Sequence, residues 1–437
     1  MTDLDALVRL ISDAPTSWHA AEYVAREVVA AGFTRLEETQ PYPATPGGYV
    51  VVRDGAVIAW IQPEAVSNPS TDSATTAPLP SFRILGAHTD SPGFKVKPSP
   101  DTTTAGWAQV GVEVYGGPLV NSWLDRDLAF AGRLVLRDGT TKLVTTSAMA
   151  RIPQLAIHLD RETDRGLALN RQHHLMPIVA TALGHPADPA ESSGGILQAI
   201  AEEAGLSPDH IIAADLMLAD TQPPALLGSA QEFLAAPRMD NLVSVSAGLS
   251  ALLEVAHQPE PGLIPVLAAF DHEEVGSQTR SGAAGPFLEE TLTRIQRSLG
   301  IGVDDTPRVR AGSWLLSADC GHVVHPNYVG KHDPDHHPHP NHGPLVKINA
   351  NQRYTTDAVG HAAVAGWADV AGVPLQEFVS RNDVPCGSTI GPIASTRLGI
   401  PTVDIGVGLL SMHSIRELVG VKDPGYLTRL TTAFFRQ

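Results

Sequence analysis

Asp271, His272, Glu273 and Glu274 stand in a row at the end of an apolar run, residues 266–270, and Gly276 closes the turn that follows. A short unbroken apolar run suits a strand covered on both faces, and open α/β sheets gather ligands beyond the carboxyl ends of such strands. An isolated acidic pair in that place is ordinarily a charged turn, but this one has company. His88 and Asp319 close two further apolar runs, His413 follows a third, and Asp240 opens a long helical pattern. Carboxylates and imidazoles are the donors of co-catalytic zinc sites, which hold two ions ~3.5–4 Å apart around a water. With one carboxylate shared, His88, Asp240, Glu274, Asp319 and His413 suffice for both ions.

Taken singly, each residue has a plainer role. Asp240 would cap a helix, Asp319 a turn, and His413 would be a satisfied buried histidine. Their conjunction at the ends of strands and a helix is what points to metal. Consecutive side chains of an extended chain diverge, so one of Glu273 and Glu274 should bind metal while the other faces the water as general base. Asp90, two residues beyond His88, is placed to accept a hydrogen bond from the imidazole and fix its tautomer.

The elements that position these groups follow from periodicity. Residues 3–32 read as two helices and residues 49–61 as a hairpin turning at Asp54 and Gly55. Residues 68–80 form a polar Ser/Thr/Pro stretch expected to be a mobile surface loop. Strands are expected at 82–87, 264–270, 314–318, 375–380 and 401–408, with helices from 238, around 286–299 and over 356–371. Between about 95 and 235 the texture changes to the alternation of antiparallel strands, with a second Asp-Gly turn at Asp138 and Gly139. The fold class expected is α/β: a doubly wound domain of residues 1–94 plus 236–437, interrupted by a β-rich insertion of residues 95–235. Within that insertion His158 lies in an apolar stretch and by itself reads as a core histidine.

Composition narrows the functions. Lys and Arg number 30 against 47 Asp and Glu, a formal charge of −17 that argues against a nucleic-acid surface. The two cysteines, Cys320 and Cys386, form no C-x-x-C pair, and a reducing compartment fits them. The N-terminus has neither a basic nor an apolar leader region, and no apolar run approaches the ~18 residues of a membrane span. A cytoplasmic protein with no membrane partner is expected.

The chain closely resembles the aspartyl aminopeptidase family of dizinc metallopeptidases. The residues that carry the likeness are Gly86 Ala87 His88 Thr89 Asp90 Ser91 Pro92, Arg238 Met239 Asp240 Asn241, Asp271 His272 Glu273 Glu274 Val275 Gly276 Ser277, Ser317 Ala318 Asp319, His325 Pro326 Asn327 Tyr328, Asn351 Gln352 Arg353 Tyr354 and Met412 His413 Ser414. The resemblance implies a zinc-exopeptidase-like catalytic domain with an inserted dimerisation domain, acting on short peptides with N-terminal Asp or Glu. It implies two zinc ions per subunit, one on His88 and Asp319, the other on Glu274 and His413, with Asp240 bridging. Cobalt or manganese would suit the same mixed donors. Glu273 would be the base and Asp90 the orienting carboxylate. His158 would reach into a neighbouring subunit's site and stabilise an oxyanion, so a homo-oligomer is expected, such as a dodecamer built from dimers. Lys347 would pair with the acidic side chain of the substrate, and His322 and His325 would lie near the metals and the substrate.

Two other readings remain open at this level. Another dizinc hydrolase, a carboxypeptidase or N-acyl deacylase, would need a positive group for a substrate carboxylate. A non-enzymatic metal-binding assembly protein would use the His/Pro-rich stretch 331–344 to sequester ions, although its four prolines make a solvated loop the simpler reading.

Overall fold

A computed structural model describes residues 2–63, 79–162, 166–181 and 195–437. Most of the polar stretch 68–80, expected to be a mobile loop, lies outside them. The expected hairpin is present as Gly47–Arg53 and Ala56–Gln62, with Asp54 at φ 55° in the turn. It joins a nine-stranded mixed sheet whose middle is parallel: Ser81–His88 lies between Leu263–Phe270 and Trp314–Ala318, and Thr402–Gly406 continues beyond.

Alternation along these strands sends successive side chains to two separate cores. Leu85, Ala87, Leu267 and Ala269 pack with helices Asp3–Asp13, Ser17–Ala30, Met239–Ala256 and Asp423–Phe435. Phe82, Ile84, Ile264, Val266 and Phe270 pack with Phe287–Ser298 and Ile390–Leu398 on the opposite face. Both faces are covered, which is why these strands read as continuous apolar runs. Contrary to the expectation from sequence, helix Met239–Ala256 is long enough and, with a mean hydropathy of 1.2 over 18 residues, apolar enough to cross a membrane, but 78% of it is buried inside this fold, as a core helix would be.

A six-stranded sheet is built wholly from residues between Gly93 and Asp220, and every pairing in it is antiparallel. It has its own core of Phe94, Trp123, Phe130, Leu216 and Leu218, joined by Ile196 and Ile200 of helix Gly195–Glu203. After Asp220 the chain leaves this sheet. Ala225–Leu227 and Phe233–Ala236 enter a five-stranded sheet with Glu417–Gly420, Gly408–Leu410 and Gly321–His322. That small sheet brings the approach to Asp240 alongside the segment that carries His413.

Candidate metal centre

Three neighbouring parallel strands end at one edge, and their ends and the turns just beyond them deliver three of the five candidates, His88, Asp319 and Glu274. His88 is the final residue of its strand and is register partner to Phe270, from which the chain turns into Glu273 and Glu274. Asp319 follows directly on Ala318, on the other side of His88. Asp240 enters from the start of helix Met239–Ala256, where Asp240 and Asn241 have non-helical dihedrals. Its carboxylate faces His88 and His413 and not the N–H groups of the helix, so it does not act as an N-cap; Asn241 Nδ2 donates to the Ala318 carbonyl at 2.8 Å. Gly406 lies so close to Asp319 that a Cβ there would meet the Asp319 carbonyl oxygen at 1.6 Å, so only glycine admits this ligand loop.

The ligand atoms converge on two points sharing Asp240. His88 Nε2 lies 3.3 Å from Asp240 Oδ1 and 3.4 Å from Asp319 Oδ1. His413 Nε2 lies 3.6 Å from Asp240 Oδ2 and 3.5 Å from Glu274 Oε2. In each group the donor atoms lie within 4.8 Å of one another. Asp240 Oδ1 and Glu274 Oε1 are buried without a hydrogen-bond partner, a costly state that a cation would relieve. Mixed nitrogen and oxygen donors, a shared carboxylate and orphaned buried oxygens all fit zinc.

Glu273 stands beside this set, its Oε2 4.0 Å from His88 Nε2, and with His88 and Glu274 it forms a third group of converging donors. The extended chain expected for the Glu273–Glu274 pair is not what the structure has. Glu273–Val275 form a 3-10 turn, entered through His272 at φ 65°. Asp90 holds that turn: its Oδ1 and Oδ2 accept the backbone N–H groups of Glu273 and Glu274 at 3.0 and 3.1 Å, and the Tyr115 hydroxyl donates to Oδ2 at 2.8 Å. The His88 imidazole is oriented chiefly by the Asp90 backbone, Nδ1 to the carbonyl at 3.0 Å, with the carboxylate at 3.4 Å. His413, at φ 66°, has its Nδ1 3.0 Å from the Gly117 carbonyl, which turns Nε2 toward Asp240. Tyr115 and Gly117 both lie at the end of strand Trp107–Tyr115 of the six-stranded sheet. Gly116 between them, at φ 66°, would bring a Cβ within 3.1 Å of the Glu274 Cβ.

Electrostatics describe a centre that needs positive charge. Burial, reinforced by Asp319, Asp240 and Asp90, pushes Glu273 up to about 8. Burial and Asp240 push Glu274 well above the carboxylate range. Burial pulls His88 down, but the carboxylates of Asp240, Asp319 and Asp90 beside it overcome this and hold the imidazole well above its usual value. Burial likewise opposes His413, whose contacts with Asp240 and Gly117 raise it. Protons thus collect where metal would otherwise sit.

The remaining candidates fall in different places. Lys347 is 1% exposed, its Nζ donates to the Cys320 carbonyl at 2.6 Å, and it lies 3.8 Å from Asp319 Oδ2. His322 packs near Phe378, ring centroids 6.0 Å apart, and burial and Lys347 lower its pKa. His325 packs edge-on to Tyr328 and accepts the Asn327 N–H at its Nδ1. Neither histidine joins a ligand group among the described residues. The core reading of His158 is overturned: it sits in an exposed turn beside Leu155, Ile157 and Leu159, which are 61%, 55% and 75% exposed. Among the described residues nothing covers the apolar alternation there. Sequence reasoning missed Tyr115, Gly117, Asn241 and Glu417. Glu417 alone left a signal: a charged residue on the inward register of Ile415, Glu417 and Val419.

A ligand cluster at the carboxyl edge of a doubly wound sheet, with an acid standing beside it, defines the metal-dependent hydrolase class. The profile of a family described as Aminopeptidase I zinc metalloprotease (M18) matches residues 10–435. The chain is 49% identical over 435 residues to the "Probable M18 family aminopeptidase 2" of Streptomyces coelicolor, covering 99% of this chain and 97% of that one. It is 42% identical over 437 residues to the like-named protein of Mycobacterium tuberculosis, covering 98% and 96%. Among solved structures, the Ape4 and Nbr1 complex matches with a TM-score of 0.91 at 33% identity, over 99% of this chain and 85% of that one. The S. cerevisiae mApe1 dodecamer matches with a TM-score of 0.85 at 29% identity, over 99% and 96%. The chain belongs to the M18 family of zinc metalloprotease aminopeptidases.

Proposed function

We propose that this aminopeptidase removes N-terminal Asp or Glu from short peptides, with two zinc ions held by His88 and Asp319, by Glu274 and His413, and by Asp240 between them. The observation that carries the reading is the convergence of those five side chains on two adjoining points, with Glu273 beside them. Bound there, the ions would polarise the scissile carbonyl and acidify the attacking water. Glu273 accepts the proton from that water and returns it to the leaving amine. Asp90 keeps the Glu273–Glu274 turn aimed.

Lys347 supports the acidic preference. Its ammonium is buried at the edge of the centre, where attraction to a substrate carboxylate exceeds that in water. The exposed apolar residues around His158 support a homo-oligomer assembled through residues 95–235, in which His158 of one subunit stabilises the oxyanion in another. Two free cysteines, Cys320 and Cys386, accord with a cytoplasmic setting.

Turnover of aminoacyl chromogenic substrates, with and without chelator, tests this reading. Asp and Glu substrates should exceed Leu by roughly tenfold or more, as expected when a buried charge must find its partner. Chelator should abolish turnover, and an N-acetylated acidic dipeptide should be inert. Equal rates on Asp and Leu would sink the acidic preference. Cleavage of the acetylated peptide would favour a deacylase or carboxypeptidase.

A further inference from the structure

Glu417 lies outside the ligand set and yet touches the backbone of two ligands. It is 2% exposed, its Oε2 accepts the Asp240 N–H at 2.9 Å, and its Oε1 accepts the His413 N–H at 2.8 Å. Neither amide has a place in a regular ladder. Asp240 sits in the non-helical entrance to its helix, and His413 in a left-handed turn between two strands. A buried amide in such a place needs an acceptor, and here one carboxylate supplies both.

The carboxylate itself is firmly seated. Glu417 is register partner to Ala236, four residues before Asp240. Its neighbour Arg416 donates to the carbonyls of Gln222, Pro223 and Ala235, which anchors the strand from the other side. Of the two ligands it grips, Asp240 is shared by both halves of the centre and His413 belongs to one. Asp240 Oδ1 faces His88, while Asp240 Oδ2 and His413 Nε2 face each other at 3.6 Å. Asp90 grips Glu273 and Glu274 in the same way. Four of the site's six acids and imidazoles nearest the metals therefore hang by their amides from two buried carboxylates.

We infer that Glu417 is a positioning residue: by clamping Asp240 and His413 together it sets their separation and couples the geometry of the two metal positions. The inference rests on the two-metal reading proposed above. Glutamine in its place presents N–H groups to one of the two donors, so one of the clamp's bonds must be lost. Aspartate is a methylene too short to hold both amides at their present spacing.

Asp423 provides a comparator. It is 1% exposed and accepts two backbone N–H groups, Asn341 at 2.6 Å and Gly343 at 3.0 Å, but neither belongs to a ligand. The full zinc-loaded chain would be compared with Glu417→Gln, Glu417→Asp and Asp423→Asn by chelator titration with ion counting, by the visible spectrum of the cobalt-substituted protein, and by kinetics. Glu417→Gln should release its metals at roughly 10–100-fold lower chelator and alter the cobalt spectrum. Its kcat should fall by a comparable factor while KM moves less than about threefold. Asp423→Asn should lower the melting temperature and leave metal release and spectrum unchanged. Wild-type release and spectrum in Glu417→Gln would overturn the clamp, and so would an equal change in Asp423→Asn. If Glu417→Gln does not fold, Glu417→Asp decides by the same two criteria. Both are read without substrate, so a wild type lacking peptidase activity would sink the proposed function and leave the clamp to its own test.

Discussion

Histidine is concentrated in one region of this chain and put to use in another. The stretch 331–344 holds His332, His336, His337, His339 and His342, whereas the candidate metal centre draws His88 and His413 from opposite ends of the sequence. Among the described residues none of the loop histidines enters a ligand group. Their nitrogens are turned to local partners: His336 Nδ1 to Asp333 Oδ1 at 2.8 Å, His342 Nδ1 to the Pro340 carbonyl at 2.8 Å, and His332 Nε2 to the His325 N–H at 3.0 Å. The loop is held by backbone contacts with Asp423 and Gln376. Density in sequence puts donors near one another on a scaffold of turns, where they find local partners. Strand ends and buried carboxylates aim them.

The largest effect that could break this contrast is loss of the shared acid. Asp240→Asn should strip both metals and abolish turnover, and a variant that still holds two ions by mass spectrometry would remove Asp240 from the bridge. Glu273→Gln should lower kcat by ~10²–10⁴-fold with metal content unchanged; activity near wild type would refute its role as base.

A smaller effect should appear in stability against pH. In the metal-free chain Glu273 and Glu417 are raised to about 8, by burial first, and Glu274, His88 and His413 are also raised. A group whose folded pKa is raised contributes stability that is present below its unfolded pKa and lost as pH rises through the folded value. The apo-protein should therefore melt at progressively lower temperature from about pH 5 to about pH 8. Zinc needs deprotonated ligands, so its stabilising increment, ~2.7 kcal/mol at a hundredfold excess over Kd, should grow over the same window. An increment that shrinks with pH would contradict the ligand set. The smallest effect belongs to the loop. Combined His336→Ala, His337→Ala and His339→Ala should leave two ions per chain and change stability by no more than ~1 kcal/mol. Loss of a tightly held third ion would revive metal sequestration.

What the sequence made legible follows the same physics. His88, Glu274 and Asp319 could be read because apolar runs point to them, and a covered parallel sheet has one edge at which such runs converge. Asp240 was legible as a ligand only in company, since an acid at a helical start is ordinarily a cap. Tyr115, Gly117 and Glu417 left little trace because they act on backbone N–H groups, imidazoles and carboxylates supplied by segments distant in sequence. The stretch around His158 misled for a related reason. Its apolar pattern signals burial, but no surface among the described residues supplies the cover.

The reach of Tyr115 and Gly117 into the centre bears on how far this enzyme can be trimmed. Splicing residue 94 to residue 236 would preserve every ligand and the nine-stranded sheet, yet would delete the hydroxyl on Asp90 and the carbonyl behind His413. A truncated version would lose both contacts, so the six-stranded sheet helps to hold the candidate centre along with the strands that end in it.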